Sequence, residues 1–232
     1  MRRSSFIIGG IAATALATLA AGQAIPGVPT PLAWAIRIIT LISAIIIHEV
    51  AHGLVAERLG DPTARSMGRL TLNPIPHIDL FGSIIIPGFL LITGQPFVIG
   101  WAKPVPVDIR RFEDPIKGWA ITAIAGPLSN FAQVIVYVLL FRFAATAGLP
   151  AWVEFLAFSG AGINLFLGIF NLIPIPPLDG SRIVAAFMPF ELVRQYLSIE
   201  RFGFIIIFGF LWLGVLDPLF NLVWRLLLAL LF

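Results

Sequence analysis

The sequence predicts an all-α polytopic membrane protein with about five to six transmembrane helices and a re-entrant or β-like segment in the middle. Three observations predict this. First, 59% of the 232 residues are hydrophobic and 12% are charged, whereas a soluble domain carries about 25% charged residues. A chain of this length has no core large enough to hide so much apolar surface from water. Second, the apolar residues gather in runs at 6–24, 32–57, 81–99, 118–147, 152–173 and 203–231. Third, the basic residues cluster in the short stretches between runs, as the positive-inside rule requires of a multi-pass chain. The net charge of +3 is scattered among apolar runs and does not describe a nucleic-acid-binding face. The absence of cysteine excludes disulfides, thiolate nucleophiles and cysteine metal sites.

The elements follow in order along one integral-membrane domain, residues 1–232, with no linker and no internal repeat. Residues 1–25 read as a first span or as a signal peptide, since Arg2 and Arg3 precede an apolar run that ends in small residues. A retained span is expected. Either reading leaves Pro26–Pro31 outside, so the run at 32–57 enters and ends in the cytoplasm at Arg58, Arg65 and Arg69. Lys103, Arg110, Arg111 and Lys117 form the next basic cluster and are expected on the same side. The run 81–99 must then enter and return. Its Pro87, Gly88, Gly94 and Pro96 suit a broken, re-entrant piece better than a straight helix. Residues 118–147 lead out and 152–173 lead back, which brings Asp179, Arg182, Arg194 and Arg201 to the cytoplasmic side. The C-terminal membrane segment 203–231 contains Asp217-Pro218 and reads as a kinked span or a hairpin.

Within the second run stands His48-Glu49-Val50-Ala51-His52. Two histidines four residues apart share a helix face, with Cβ atoms roughly 5–6 Å apart. Both imidazoles can therefore reach one zinc ion, and the glutamate between them is placed to act as a base on an activated water. Ionisable groups at bilayer depth are costly and mark function. His48 is about ten residues from Arg58, roughly 15 Å into the span at 1.5 Å per residue. A hydrolytic zinc site takes a third protein ligand, for which His77, Asp79 and Asp179 are the candidates.

The motif does not stand alone. Ala125-Gly126-Pro127-Leu128-Ser129-Asn130 follows it, and then Phe170-Asn171-Leu172-Ile173-Pro174 through Leu178-Asp179-Gly180-Ser181-Arg182. In this order the three resemble the site-2 proteases, zinc metalloproteases that cut transmembrane helices inside the bilayer. Gly68-Arg69-Leu70-Thr71-Leu72-Asn73-Pro74 and Gly100-Trp101-Ala102-Lys103-Pro104-Val105-Pro106-Val107 resemble the compact prokaryotic branch that lacks a PDZ domain. The resemblance covers about residues 35–185, within a catalytic core expected at 32–185. It implies that Asp179 completes a zinc site with His48 and His52, that Glu49 is the catalytic base, and that Asn171 assists at the reacting carbonyl. It also implies an edge-like element after the zinc-binding helix, for which Gly68–Pro76 is the candidate holder of extended substrate.

The expected function is thus a Zn2+-dependent endopeptidase that cleaves transmembrane segments of single-span proteins or signal-peptide remnants. It would work in the prokaryotic cytoplasmic membrane, with its site nearer the cytoplasm, and with the lipid bilayer and no nucleic acid as partner. His77 and Asp79 are expected to fix a loop, and Asn130 to hold helices together. The rival from another class is a zinc-binding scaffold or transporter without hydrolysis. Glu49 argues against it, because a scaffold needs no base between its ligands. A serine–histidine dyad finds no histidine after residue 77, and an aspartyl dyad lacks its Gly-x-Gly-Asp pattern.

Overall fold

The computed structural model describes residues 27–93 and 100–232. The expected first span or signal peptide, and the end of the run 81–99, lie outside the described residues. In chain order the α-helices are α1 (Thr30–Arg58), α2 (Thr63–Ser66), α3 (Ile86–Ile92), α4 (Pro115–Ala147), α5 (Ala151–Asn171), α6 (Asp179–Ala185), α7 (Phe190–Leu197), α8 (Glu200–Trp212) and α9 (Asp217–Leu231). Short 3₁₀ turns occupy Ile75–His77 and Ile109–Arg111, and a π-helical turn occupies Leu80–Ile85. No β-strand forms among the described residues.

Helices α1, α4 and α5 are each long and apolar enough to cross a bilayer. The stretch Ile205–Trp212 with α9 makes a fourth candidate, bent by 78° at the break before Asp217-Pro218, as the proline there leads the sequence to expect. The chain is therefore a multi-pass membrane protein. The helical stretch Leu80–Ile92 reaches roughly 20 Å at 1.5 Å per residue, short of the ~30 Å hydrocarbon core.

Local chemistry sets the helix ends. Asp114 caps α4 by accepting from the Lys117 N–H at 3.1 Å, and Pro115 takes the first-turn position where its missing N–H costs nothing. Gly148 closes the same helix in the left-handed region, at φ 61°. The three long helices pack against one another around small residues. Gly160 lies against the Tyr137 ring and Gly168 against Phe131, so α4 and α5 approach closely. Helix α9 seals this pair with Val223, Leu227 and Leu231 packed on Val134, Ala161 and Leu165. A second small core joins Ala33 and Ile36 of α1 to Phe155 of α5. Ile38, Ile39 and Ile42 of α1 and Ile135, Val136, Leu139 and Phe143 of α4 face outward, on the surface that lipid would cover.

A chain segment from Trp101 to Phe112 is laid across the end of α1 by specific bonds. Asp61, fully buried just beyond α1, accepts from the backbone N–H of Asp108 at 2.7 Å and of Thr63 at 3.1 Å. Arg69 donates to the Lys103 carbonyl at 2.7 Å, and the Lys103 N–H donates to the His77 carbonyl at 2.9 Å. The Arg110 guanidinium on Asp108 holds that half-buried carboxyl below the usual carboxylate range.

The strand edge expected at Gly68–Pro76 does not form. The Asn73 carboxamide accepts from the Ile75 N–H at 3.1 Å, and the Thr71 hydroxyl accepts from the Asn73 N–H at 3.1 Å. These side-chain turns take the donors that a strand would offer, and Pro74 and Pro76 supply none.

Candidate metal centre

His48 and His52 stand one turn apart on α1, both buried. Their rings lie edge to face, with centroids 4.6 Å apart and planes at 87°. The Nδ1 atoms point away from each other. His48 Nδ1 meets Asn130 Oδ1 at 2.6 Å, and His52 Nδ1 meets the Thr122 carbonyl at 2.8 Å. Both partners are on α4. A neutral imidazole has one N–H. With each Nδ1–H donated to an oxygen, each Nε2 keeps a bare lone pair.

Those two Nε2 atoms face each other at 3.0 Å. Asp179 Oδ2 joins them from the first turn of α6, at 3.1 Å from His48 Nε2 and 3.4 Å from His52 Nε2. This buried oxygen accepts no hydrogen bond. Three lone-pair atoms thus converge with no donor among them, although an unmet buried polar group costs about 1–3 kcal/mol. A cation resolves the conflict. The ligand-atom separations match the edge of a zinc tetrahedron, roughly 3.3 Å for bonds of about 2.0–2.1 Å. Among the described residues these three form the one such group of metal-ligating side chains, and the donor set fits Zn2+.

The backbone gives the site its room. A Cβ on Gly126 would stand 2.5 Å from His48 Cε1 and Nε2 and from His52 Cε1, so only glycine lets α4 pass behind the imidazoles. Gly180, beside the aspartate, is pressed against the Leu172 carbonyl in the same way. The segment between α5 and α6 holds Pro174, Pro176 and Pro177, with a cis bond between the last two. It interrupts the helix and turns Asp179 back toward α1.

The other sequence-derived residues fall as follows. Glu49 lies between the ligands and accepts the Val105 N–H on Oε2 at 2.7 Å. Asn171 ends α5 and donates one amide N–H to the Leu167 carbonyl at 3.0 Å. His77 is buried and donates from Nε2 to the Thr71 carbonyl at 3.0 Å, while Asp79 accepts the Gly82 N–H at 2.7 Å. Both order the loop and neither joins the metal group. Sequence reasoning missed Thr122 and Asn164 as parts of the site. For Asn164 a signal existed, since an amide inside an apolar helix is expensive unless bonded.

Comparison with known proteins agrees with this geometry. The family model described as Peptidase family M50 matches residues 141–214, a stretch that includes Asn171 and Asp179. YwhC of Bacillus subtilis, a zinc metalloprotease by name, is 39% identical over 73% of this chain and 76% of its own length. The chain belongs to peptidase family M50. A Methanocaldococcus jannaschii relative, MJ0611, also a zinc metalloprotease by name, is 32% identical over 66% of this M50 chain and 71% of its own. Rip2 of Mycolicibacterium smegmatis, named likewise, is 27% identical over 71% of the chain and 61% of its own length. No solved structure matches. The M50 chain is a zinc metalloprotease of the site-2 protease type, and no PDZ domain is found in it.

Proposed function

We propose that this M50 zinc metalloprotease is an endopeptidase that cleaves transmembrane segments of membrane-anchored substrates within the bilayer. Single-span proteins and signal-peptide remnants are the substrate classes. The observation that carries the reading is the position of His48, Glu49 and His52 in the middle of an apolar helix long enough to span. His48 is about ten residues, roughly 15 Å, from the basic end of α1 at Arg58. Assigning that end to the cytoplasm by its arginines puts the site in the cytoplasmic half of a prokaryotic cytoplasmic membrane.

When bound, zinc supplies Lewis-acid polarisation of water and of the scissile carbonyl. The chain does the rest. His48, His52 and Asp179 are the residues that would hold the metal. Glu49 takes the proton of the attacking water and delivers it to the departing amine nitrogen. The second amide N–H of Asn171, not used by Leu167, is the candidate donor to the carbonyl oxygen as it gains charge. The apolar outer faces of α1 and α4 keep bulk water away, which strengthens each of these interactions. A helical substrate has its amides bonded within the helix, so it must unwind locally before the carbonyl can enter.

The test is cleavage of a panel of single-span reporters in detergent, with wild type beside Glu49→Gln. Products cut inside the apolar segment by wild type alone support the proposal. Cuts confined to water-exposed loops would replace it with a zinc peptidase acting at the membrane surface.

A further inference from the structure

We infer that Asn164 and Asn130 are positioning residues that form a one-way hydrogen-bond relay fixing which nitrogen of His48 is presented to the metal. The inference rests on zinc being held by His48, His52 and Asp179, and does not depend on where substrates are cut.

The relay starts at a group that can only accept. The Gly160 carbonyl takes a hydrogen bond from Asn164 Nδ2 at 2.9 Å. That fixes the amide, so Asn164 Oδ1 faces the opposite way and accepts from Asn130 Nδ2 at 2.8 Å. Asn130 Nδ2 also points toward the Ala44 carbonyl at 3.4 Å, a second acceptor on the same side. Asn130 Oδ1 is thereby turned to His48 Nδ1 at 2.6 Å. An oxygen there requires the proton on Nδ1 and leaves Nε2 bare for the metal. Both asparagines are fully buried, so no water stands ready to substitute for a missing partner. If Asn130 were turned over, its NH₂ would face Nδ1, and the proton would have to move to Nε2, where the metal belongs.

His52 reaches the same state by a shorter route, because Thr122 offers it a backbone carbonyl that cannot turn. His48 Nδ1 instead meets a side-chain carbonyl, that of Asn130. Its orientation is carried through two side chains from α5 to α4 to α1. The relay thus makes α5, which contributes no ligand from its middle, a determinant of metal affinity.

The experiment measures zinc affinity of the full chain in detergent by chelator competition. Asn164→Leu keeps the volume and removes the orienting bonds, so affinity should fall about 10- to 100-fold. Asn130→Asp puts an acceptor on both branches of the side chain and cannot be turned the wrong way. In that background Asn164→Leu should leave zinc affinity unchanged. An equal loss in both backgrounds, or no loss in either, would overturn the relay and return Asn164 to helix packing. A second measurement needs no variant to fold. The chain has three histidines, so the ¹⁵N spectrum of the zinc-loaded wild type is readable. His48 should show a slowly exchanging Nδ1–H. A rapidly exchanging one contradicts the relay. Wild type that binds no zinc would instead sink the ligand assignment itself.

Discussion

The backbone N–H of Val105 donates to the Glu49 carboxylate at 2.7 Å, tying the segment Trp101–Phe112 to the residue between His48 and His52. Pro104 and Pro106 flank Val105, so this is the only N–H the chain offers there. This bond holds one of the two carboxylate oxygens. This relationship decides which substitution isolates the chemistry. Glu49→Gln keeps an oxygen for Val105 but cannot take a proton, so it should retain zinc and structure and lose nearly all proteolysis. Glu49→Ala also releases the segment and should lower thermal stability. Activity near wild type in Glu49→Gln would remove Glu49 from the mechanism.

Metal content should follow the three converging atoms. Purified wild type should hold one zinc ion per chain, and His48→Ala or Asp179→Ala should lose most of it. His77→Ala should keep it, because that ring serves the Thr71 carbonyl. Elemental analysis checks this. Full zinc in Asp179→Ala would require another third ligand.

Gly126→Ala is the sharpest steric probe. The added methyl meets both imidazoles at 2.5 Å, and the far side of each ring is already committed. Zinc affinity should drop by a factor of ten or more, on the scale of a disturbed metal surround. Titration against a chelator reads the loss, and unchanged affinity would mean that α4 can shift away.

Asn171→Ala should reduce kcat by roughly 10²–10³ with zinc retained, the effect of deleting one oxyanion donor. An unchanged rate would reduce Asn171 to capping the end of α5 through Leu167.

Membrane sidedness is open to labelling because the chain has no cysteine of its own. A single cysteine near Arg110 should be protected from an impermeant external reagent in intact cells. Its modification would mean that 81–99 crosses completely.

Substrate composition should matter as well. Gly, Pro or Asn in the cytoplasmic half of a substrate span should speed cleavage, since they lower the cost of unwinding by about 1–3 kcal/mol for Gly or Pro. A matched poly-leucine span should resist. Equal rates for both, read by mass spectrometry of the products, would argue that unwinding does not limit the reaction.

The histidine pair was legible because it needs only the pitch of a helix, whereas Asp179 became legible only through the resemblance of its motif to the site-2 proteases, the residues alone leaving His77 and Asp79 open beside it. The bond from Val105 to Glu49 and the asparagine relay join positions far apart in sequence, and no local pattern marks such partners. Asn130 was expected to hold helices together. It does, bonding Ala44 and Asn164, and its oxygen also meets His48 Nδ1, a contact that required seeing the two helices side by side. The strand edge failed for a local reason, since Thr71 and Asn73 prefer their own backbone to a neighbour's.

The candidate ligands lie far apart in sequence, His48 and His52 on the first long helix and Asp179 beyond the proline-rich break. A metal on all three is therefore a cross-link, closing a loop that takes in α4 and α5. Zinc that binds the folded chain and not the unfolded one stabilises it by mass action. The protease should melt at a lower temperature after chelation, and part of its resistance to unfolding should belong to the ion with which it cuts.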